Sequence, residues 1–285
     1  MKLSVLRKGL LIVGIATTAA AWVAQAGSVT AKGSDTMVIL AQKWAEVYMG
    51  KTPGVKIQVT GGGTGTGFAA LQNRTTDLCN ASRKIRAKEI ENCIKAFGKR
   101  PTEYKVAMDG LSVYVHTENK VNELSLPQLE LIFTGKIRNW KELGGADAPI
   151  VLYSRENSSG TYEFFKEHVL KGKDFASNAQ TMPGTAAVLQ AVAKEKNGIG
   201  YGGAAYGEGA KHVAVKKDDT SEALQPTEEL VVKGAYPISR YLFIYLNPAL
   251  DKGDVATYLK WMRSEDGQKV VKDVGYFPLP KHLRE

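Results

Sequence analysis

Residues 55–60 (VKIQVT) alternate apolar and polar side chains, the period of a half-buried strand. Before them, apolar residues recur at helical spacing from Val38 through Trp44 to Met49, and Gly50 is the stop signal. Residues 28–32 read as a short strand, 61–67 as a glycine loop, 68–73 as a short helix and 77–81 as a buried strand. Strand, loop, helix, strand is the unit of a parallel sheet. Further along, 104–116 is long and apolar, interrupted by Asp109-Gly110. Helices are expected over 126–134, 161–170, 185–194 and 256–262, and strands over 150–153, 199–202 and 241–246. The class is α/β in two lobes, with no internal repeat and no low-complexity tract.

The first 26 residues stand apart from this pattern. Lys2, Arg7 and Lys8 precede an uncharged, mostly apolar run from Gly9 to Ala24, and Ala24-Gln25-Ala26 is a small-x-small cleavage pattern. This is the layout of a secretory signal peptide over 1–26. The run is shorter than the roughly 20 residues that span a bilayer, so a cleaved leader is favoured over an anchor. No later stretch approaches a membrane span, and the mature chain is expected not to be membrane-embedded. Export would place Cys79 and Cys93 in an oxidising space. They are the only cysteines, and the reading is one disulfide, with two free buried thiols as the alternative.

Composition narrows the function. The chain has 285 residues, 44% hydrophobic and 24% charged, ordinary for a globular protein and long enough for about two domains. Its net charge of +9 falls to +6 once Lys2, Arg7 and Lys8 leave with the leader. The basic residues are spread evenly rather than striped with aromatics, which argues against nucleic acid. Two cysteines and four scattered histidines do not suggest a metal site, and no cofactor is implied.

Three segments share one layout, a strand followed by a small, hydroxyl-rich loop that opens a helix. They are Gly33-Ser34-Asp35-Thr36, Gly63-Thr64-Gly65-Thr66-Gly67 and Ser158-Ser159-Gly160-Thr161. A helix amino terminus offers free backbone N–H groups and partial positive charge. Glycine admits a ligand close to that backbone, and Ser and Thr add donors without bulk. One such loop is an ordinary cap, whereas three suggest convergence on one small tetrahedral anion. Arg155 and Arg83 stand at strand ends beside these loops, where a guanidinium fork would match an oxyanion. Competing motifs fail. Gly65-Thr66-Gly67-Phe68-Ala69-Ala70 fits a dinucleotide fingerprint, but no acidic strand end follows about 20 residues on. There is no nucleotide P-loop, and Ser158-Ser159-Gly160 is not a hydrolase nucleophile elbow. An enzyme is therefore not expected.

With these loops in hand, the chain resembles the phosphate-binding proteins of bacterial ABC importers, the PstS type of the periplasmic binding protein superfamily. The likeness runs over essentially the whole mature chain. It rests on GSDTM (33–37), VTGGGTGTGFAALQN (59–73), DLCNASRKI (77–85), FTGKIRNWKELGG (133–145), PIVLYSRENSSGTYEFFKE (149–167), GIGYGG (198–203), YPISRYLFIY (236–245) and EDGQKVVKDVGYFPLP (265–280). The resemblance implies a type II two-lobed fold, each lobe a mixed, mostly parallel sheet flanked by helices, joined by a two-strand hinge. Lobe 1 would be 27–117 plus 235–285, and lobe 2 would be 118–234. It implies a monomer of the periplasm that captures inorganic phosphate in the interlobe cleft and passes it to the membrane permease of a phosphate ABC transporter. A receptor or sensor for sulfate, arsenate or a phosphonate is the alternative. The ligand set carried over is Ser34, Asp35, Thr36, Thr64, Gly65, Thr66, Arg83, Arg155, Ser159, Gly160 and Thr161. In one respect the chain departs from the family. Well-described members have an aspartate where this chain has Arg83, and that aspartate accepts a proton from phosphate and so rejects sulfate. Asp35 is expected to take over that role, to pair with Arg83 across the site, or both.

Overall fold

The computed structural model describes residues 27–284; the leader expected over 1–26 lies outside them. In chain order the elements are β1 (Gly27–Gly33), α1 (Val38–Lys51), β2 (Val55–Thr60), α2 (Thr64–Gln72), β3 (Leu78–Ala81), α3 (Ala87–Phe97), β4 (Thr102–Val115), β5 (Glu123–Ser125) and α4 (Leu126–Phe133). They continue with β6 (Val151–Arg155), α5 (Gly160–His168), β7 (Gln180–Met182), α6 (Thr185–Lys194), β8 (Gly198–Gly203), β9 (Lys211–Lys216), α7 (Glu228–Val232), β10 (Ser239–Leu246), α8 (Gly253–Arg263) and α9 (Glu265–Asp273).

The strands run in the order β2-β1-β3-β10-β4-β8-β6-β7. β1 pairs in parallel with β2 and β3, while β10 runs antiparallel to both β3 and β4. Residues 102–110 of β4 pair with β10, but its residues 111–115 pair with β8, and 113–115 also pair with β9. One strand thus begins in one sheet and ends in the other. It runs unbroken through Asp109-Gly110, where the sequence pattern had shown an interruption. On the far side β6 lies parallel to β7 and β8, and β5 lies parallel to β9. The result is two α/β lobes sharing a continuous strand.

Each lobe is held by its own core. On α1, Leu40, Ala41, Trp44, Ala45 and Tyr48 recur every three or four residues and are buried, so one stripe faces the sheet and α8 and α9. The Trp44 indole N–H donates to the Gly267 carbonyl at 2.8 Å, satisfying the one polar atom of a fully buried ring. α2 and α3 cover the opposite face with Phe68, Leu71 and Cys93 packed against Phe243 and Tyr245. The second lobe is centred on Phe133, Trp140, Phe165 and Tyr201, with Phe165 stacked on Tyr201 at 4.0 Å between centroids. Ser125 caps α4 by accepting from the Gln128 N–H, while the Gln128 side chain accepts from the Ser125 N–H.

Three features differ from the sequence reading. Residues 64–67, expected as loop, form the first turn of α2, because tertiary packing overrides the low helix propensity of Gly65 and Gly67. Six elements appear that the reading did not place: α3, β5, β7, α7, β9 and α9. β5, β7 and α7 are only three to five residues long, too short to display a period, whereas β9 carries Val213 and Val215 on one face and was missed. Cys79 on β3 and Cys93 on α3 are free, not joined in a disulfide. Both are fully buried in the cluster with Phe68 and Tyr245, where each acts as a small apolar side chain. Burial pushes both thiols up, Cys93 to about 11, which leaves little of the reactive thiolate.

Candidate functional site

The three hydroxyl-rich loops meet where the lobes touch. Ser34 leads a single 3-10 turn, Asp35–Met37, into α1, and its N–H donates to the Asn80 carbonyl at 2.8 Å. This fixes Thr36, which is buried with its hydroxyl oxygen 2.7 Å from that of Thr161 on the other lobe. The Thr64 hydroxyl accepts from the Ser82 N–H at 3.1 Å and lies 3.4 Å from the Ser82 hydroxyl. The Gly65 N–H donates across the interface to the Ser158 carbonyl at 2.8 Å. Ser159 caps α5 by accepting from the N–H groups of Thr161 and Tyr162, both at 3.2 Å. Two glycines make the approach possible. A Cβ on Gly160 would stand 2.4 Å from the Thr64 hydroxyl oxygen, and one on Gly63, at φ +91°, would stand 2.6 Å from the Ser158 carbonyl oxygen. Thr66 faces elsewhere: its hydroxyl donates back to the carbonyls of Gly62 and Gly63, each at 2.9 Å. Of the two threonines in the glycine loop, Thr64 is the one at the junction.

Arg155 supplies the charge. It ends β6, is 1% exposed, and reaches across the lobes. Its Nη2 donates to Asp35 Oδ2 at 2.7 Å and its Nη1 to the Thr185 hydroxyl at 2.9 Å. Its Nε has no hydrogen-bond partner among the described residues. Burial pushes the guanidinium down from its ordinary value while Asp35 opposes the shift, and an arginine stays charged under such pressure. Asp35 Oδ1 accepts from the Gly62 N–H at 2.7 Å, so the carboxylate ties the first loop to the glycine loop and to Arg155 together.

Arg83 is not with this group, and it does not pair with Asp35. Its guanidinium makes a two-toothed pair with Glu89 at 2.7 and 2.8 Å and an ion pair with Glu163 of α5 at 2.5 Å, over the Phe68 ring. Arg86 also pairs with Glu163. The nearest carboxylates claim the fork, because an unpaired charge at this depth is costly. Burial pushes the Glu163 carboxyl up, with Arg83 and Arg86 opposing.

The sequence reading missed four residues at the site. Ser82 follows β3 and contacts Thr64. Thr185 opens α6 after Gly184 and bonds Arg155. Its stretch PGTAA (183–187) has the same small-loop-to-helix layout as the other three and could have been found. Asp109 and Arg240 are buried in β4 and β10 and pair at 2.8 Å. An arginine inside the apolar run 239–246 was the available signal, since arginine is seldom buried unless paired. Among the described residues no cluster of His, Cys, Asp and Glu could hold a metal ion, and no helix is long and apolar enough to cross a membrane.

Residues 18–266 match the family model of a PBP superfamily domain. A phosphate-binding protein PstS of Pseudomonas aeruginosa is 36% identical over 275 residues, covering 91% of this chain and 85% of the relative. The chain belongs to the PstS family of the PBP superfamily. A PstS of Staphylococcus epidermidis is 33% identical over 90% of this chain and 80% of its own. Among solved structures, one from Clostridium perfringens, assigned as a phosphate ABC transporter substrate-binding protein and solved with bound phosphate, has a TM-score of 0.81. It is 31% identical and covers 89% of this chain and 100% of that chain. An ABC-type phosphate transport receptor of Vibrio cholerae has a TM-score of 0.69 at 26% identity, covering 88% and 100%. The two lobes and their shared strand are the type II fold of these PstS relatives.

Proposed function

We propose that this chain captures inorganic phosphate between its lobes in the periplasm and delivers it to the membrane permease of an ABC importer, without chemical turnover. The observation that carries the reading is Arg155. A buried guanidinium with an unpartnered Nε bonds Thr185 at the start of α6 and Asp35, whose carboxylate takes the Gly62 N–H ahead of α2 and whose neighbour Thr36 meets Thr161 at the start of α5. Such a set offers donors and positive potential and suits a small desolvated oxyanion. The relatives' names and the phosphate in the Clostridium perfringens structure point to phosphate as that anion.

The ligand set of this reading is Ser34, Asp35, Thr36, Thr64, Gly65, Arg155, Ser159, Gly160 and Thr161, with Thr66 and Arg83 supporting it from outside. Asp35 takes the role of proton acceptor. Its carboxylate oxygens each hold one donor already, and an ionised carboxylate has about four lone-pair sites, so capacity for a phosphate hydroxyl is left. Sulfate has no proton to offer at neutral pH. Lobe 1 is assigned as 27–117 plus 235–285 and lobe 2 as 118–234, with residues 111–115 of β4, which pair with β8, as the segment shared between them, and the lobes close about β4 and the return into β10. Among the described residues Ile94 is the one large apolar side chain that stands exposed, in keeping with a monomer.

Titration of the intrinsic fluorescence of the folded protein with phosphate, arsenate, sulfate, molybdate and a phosphonate tests the reading. Saturable phosphate binding at micromolar or tighter affinity is expected, with no release of phosphate from a model ester. A preference for another oxyanion would make the protein a receptor for that ion, and ester turnover would make it an enzyme.

A further inference from the structure

Behind the phosphate loops, one side chain joins three parts of the molecule. Arg240 is buried on β10. Its Nε and Nη2 donate to Asp109 Oδ2 on β4 at 3.0 and 2.8 Å, and its Nη1 donates to the Ser82 carbonyl at 3.0 Å. Its Nη2 also donates to the Thr161 hydroxyl, on the other lobe, at 3.0 Å. The guanidinium carbon lies 5.2 Å from the centre of the Phe164 ring, one turn along α5 from Thr161.

We propose that Arg240 is a positioning residue for anion capture, acting through the Thr161 hydroxyl; the inference rests on the phosphate-binding reading above. Hydrogen-bond polarity gives Arg240 this role. A guanidinium can only donate, so the Thr161 oxygen accepts from Arg240 and its own proton must point elsewhere. With the Arg240 side taken, that proton is turned to the side of the Thr36 hydroxyl, 2.7 Å away with either oxygen able to donate, and of the anion site that the two threonines share. Arg240 thereby makes Thr161 a donor facing the ligand. Asp109 neutralises the guanidinium, so the arginine contributes a rigid fork rather than net charge to the site. Asp109 is fully buried and its Oδ1 has no hydrogen-bond partner among the described residues, so this carboxylate depends on Arg240 for its compensation. Of the contacts of Arg240, only those to Thr161 and Phe164 cross between lobes. A side chain kept solely to balance Asp109 would not need them.

The test is Arg240→Lys in the wild-type and T161V backgrounds, with phosphate affinity measured by calorimetry and the stability of ligand-free protein by urea unfolding. An ammonium cannot reach Asp109, Ser82 and Thr161 together. R240K is expected to weaken phosphate binding about tenfold when Thr161 is present and less than twofold in T161V. The unfolding cost should differ between the two backgrounds by no more than the one Arg240–Thr161 hydrogen bond. Where R240K does not fold, Arg240→Gln combined with Asp109→Asn removes the guanidinium and its counter-charge together and repeats the comparison in both backgrounds. Equal loss of affinity in both backgrounds, or none in either, overturns the role of Arg240 while wild-type phosphate binding stands. A wild-type protein that binds no phosphate overturns the functional reading and this inference together.

Discussion

Asp35 and Arg155, 120 residues apart in sequence and on opposite lobes, form an ion pair of 2.7 Å in which the arginine is 1% exposed and the aspartate 18%. The pair lies at the centre of the three converging loops. It fixes one end of the guanidinium and leaves Nε without a hydrogen-bond partner among the described residues.

Asp35→Asn should narrow the preference for phosphate over sulfate, because an amide oxygen accepts more weakly and the amide N–H₂ can donate to sulfate. Paired calorimetric titrations check this, and unchanged discrimination would remove Asp35 from the acceptor role. The same variant leaves Arg155 buried without its counter-charge and should cost roughly 3 kcal/mol in urea unfolding of ligand-free protein.

Arg83→Met should separate stability from binding. The arginine is committed to Glu89 and Glu163, and removing it strands the largely buried Glu89 and leaves Glu163 to Arg86 alone. A loss of roughly 3 kcal/mol is expected. Phosphate affinity of the folded variant should change less than threefold, whereas Arg155→Met should abolish binding. A large affinity loss in R83M would return Arg83 to the ligand set.

Thiol titration distinguishes free cysteines from a disulfide. With burial holding both thiols up, native protein prepared without reductant should react slowly, and unfolding should release two equivalents. Zero equivalents would mean that Cys79 and Cys93 are joined.

His212 on β9 should give stability a dependence on pH. Burial pushes its imidazole below 6.5, while the ring lies 3.1 Å from the Ser112 hydroxyl and packs edge-on to Tyr114. The folded pKa is the depressed one, so the unfolded chain takes up the proton first as pH falls. The contribution is therefore complete above 6.5 and is lost as pH falls through the folded value. Urea unfolding at pH 7.5, 6.5 and 5.5 should show a decline that His212→Gln removes.

Much of the architecture was legible because periodicity reports burial. The strict alternation of 55–60 and the helical spacing on α1 each mark one buried face, and both elements stand where the pattern put them. The long strand 102–115 was visible as an apolar run, but its passage from one sheet to the other depends on partners more than 80 residues away. β5 and β7 have three residues each, fewer than a period-two pattern needs to show itself.

The site divides along the same line. Local chain chemistry sets the loops: small residues, hydroxyls and helix starts lie within five residues of one another at 33–37, 63–67 and 158–161, and their likeness to PstS loops can be read there. Pairing of charges is not local. Arg83 and Arg155 both stand at strand ends, and the local sequence does not say which carboxylate each will meet. Only the fold brings Asp35 to Arg155 and places Glu89 and Glu163 against Arg83. The sequence by itself determined the α/β class and the small, hydroxyl-rich loops that open helices, because each is written in runs of contiguous residues. The tertiary structure decided which arginine joins the converging loops and which is held away from them by Glu89 and Glu163, because a buried charge goes to whichever opposite charge the folded chain puts within reach.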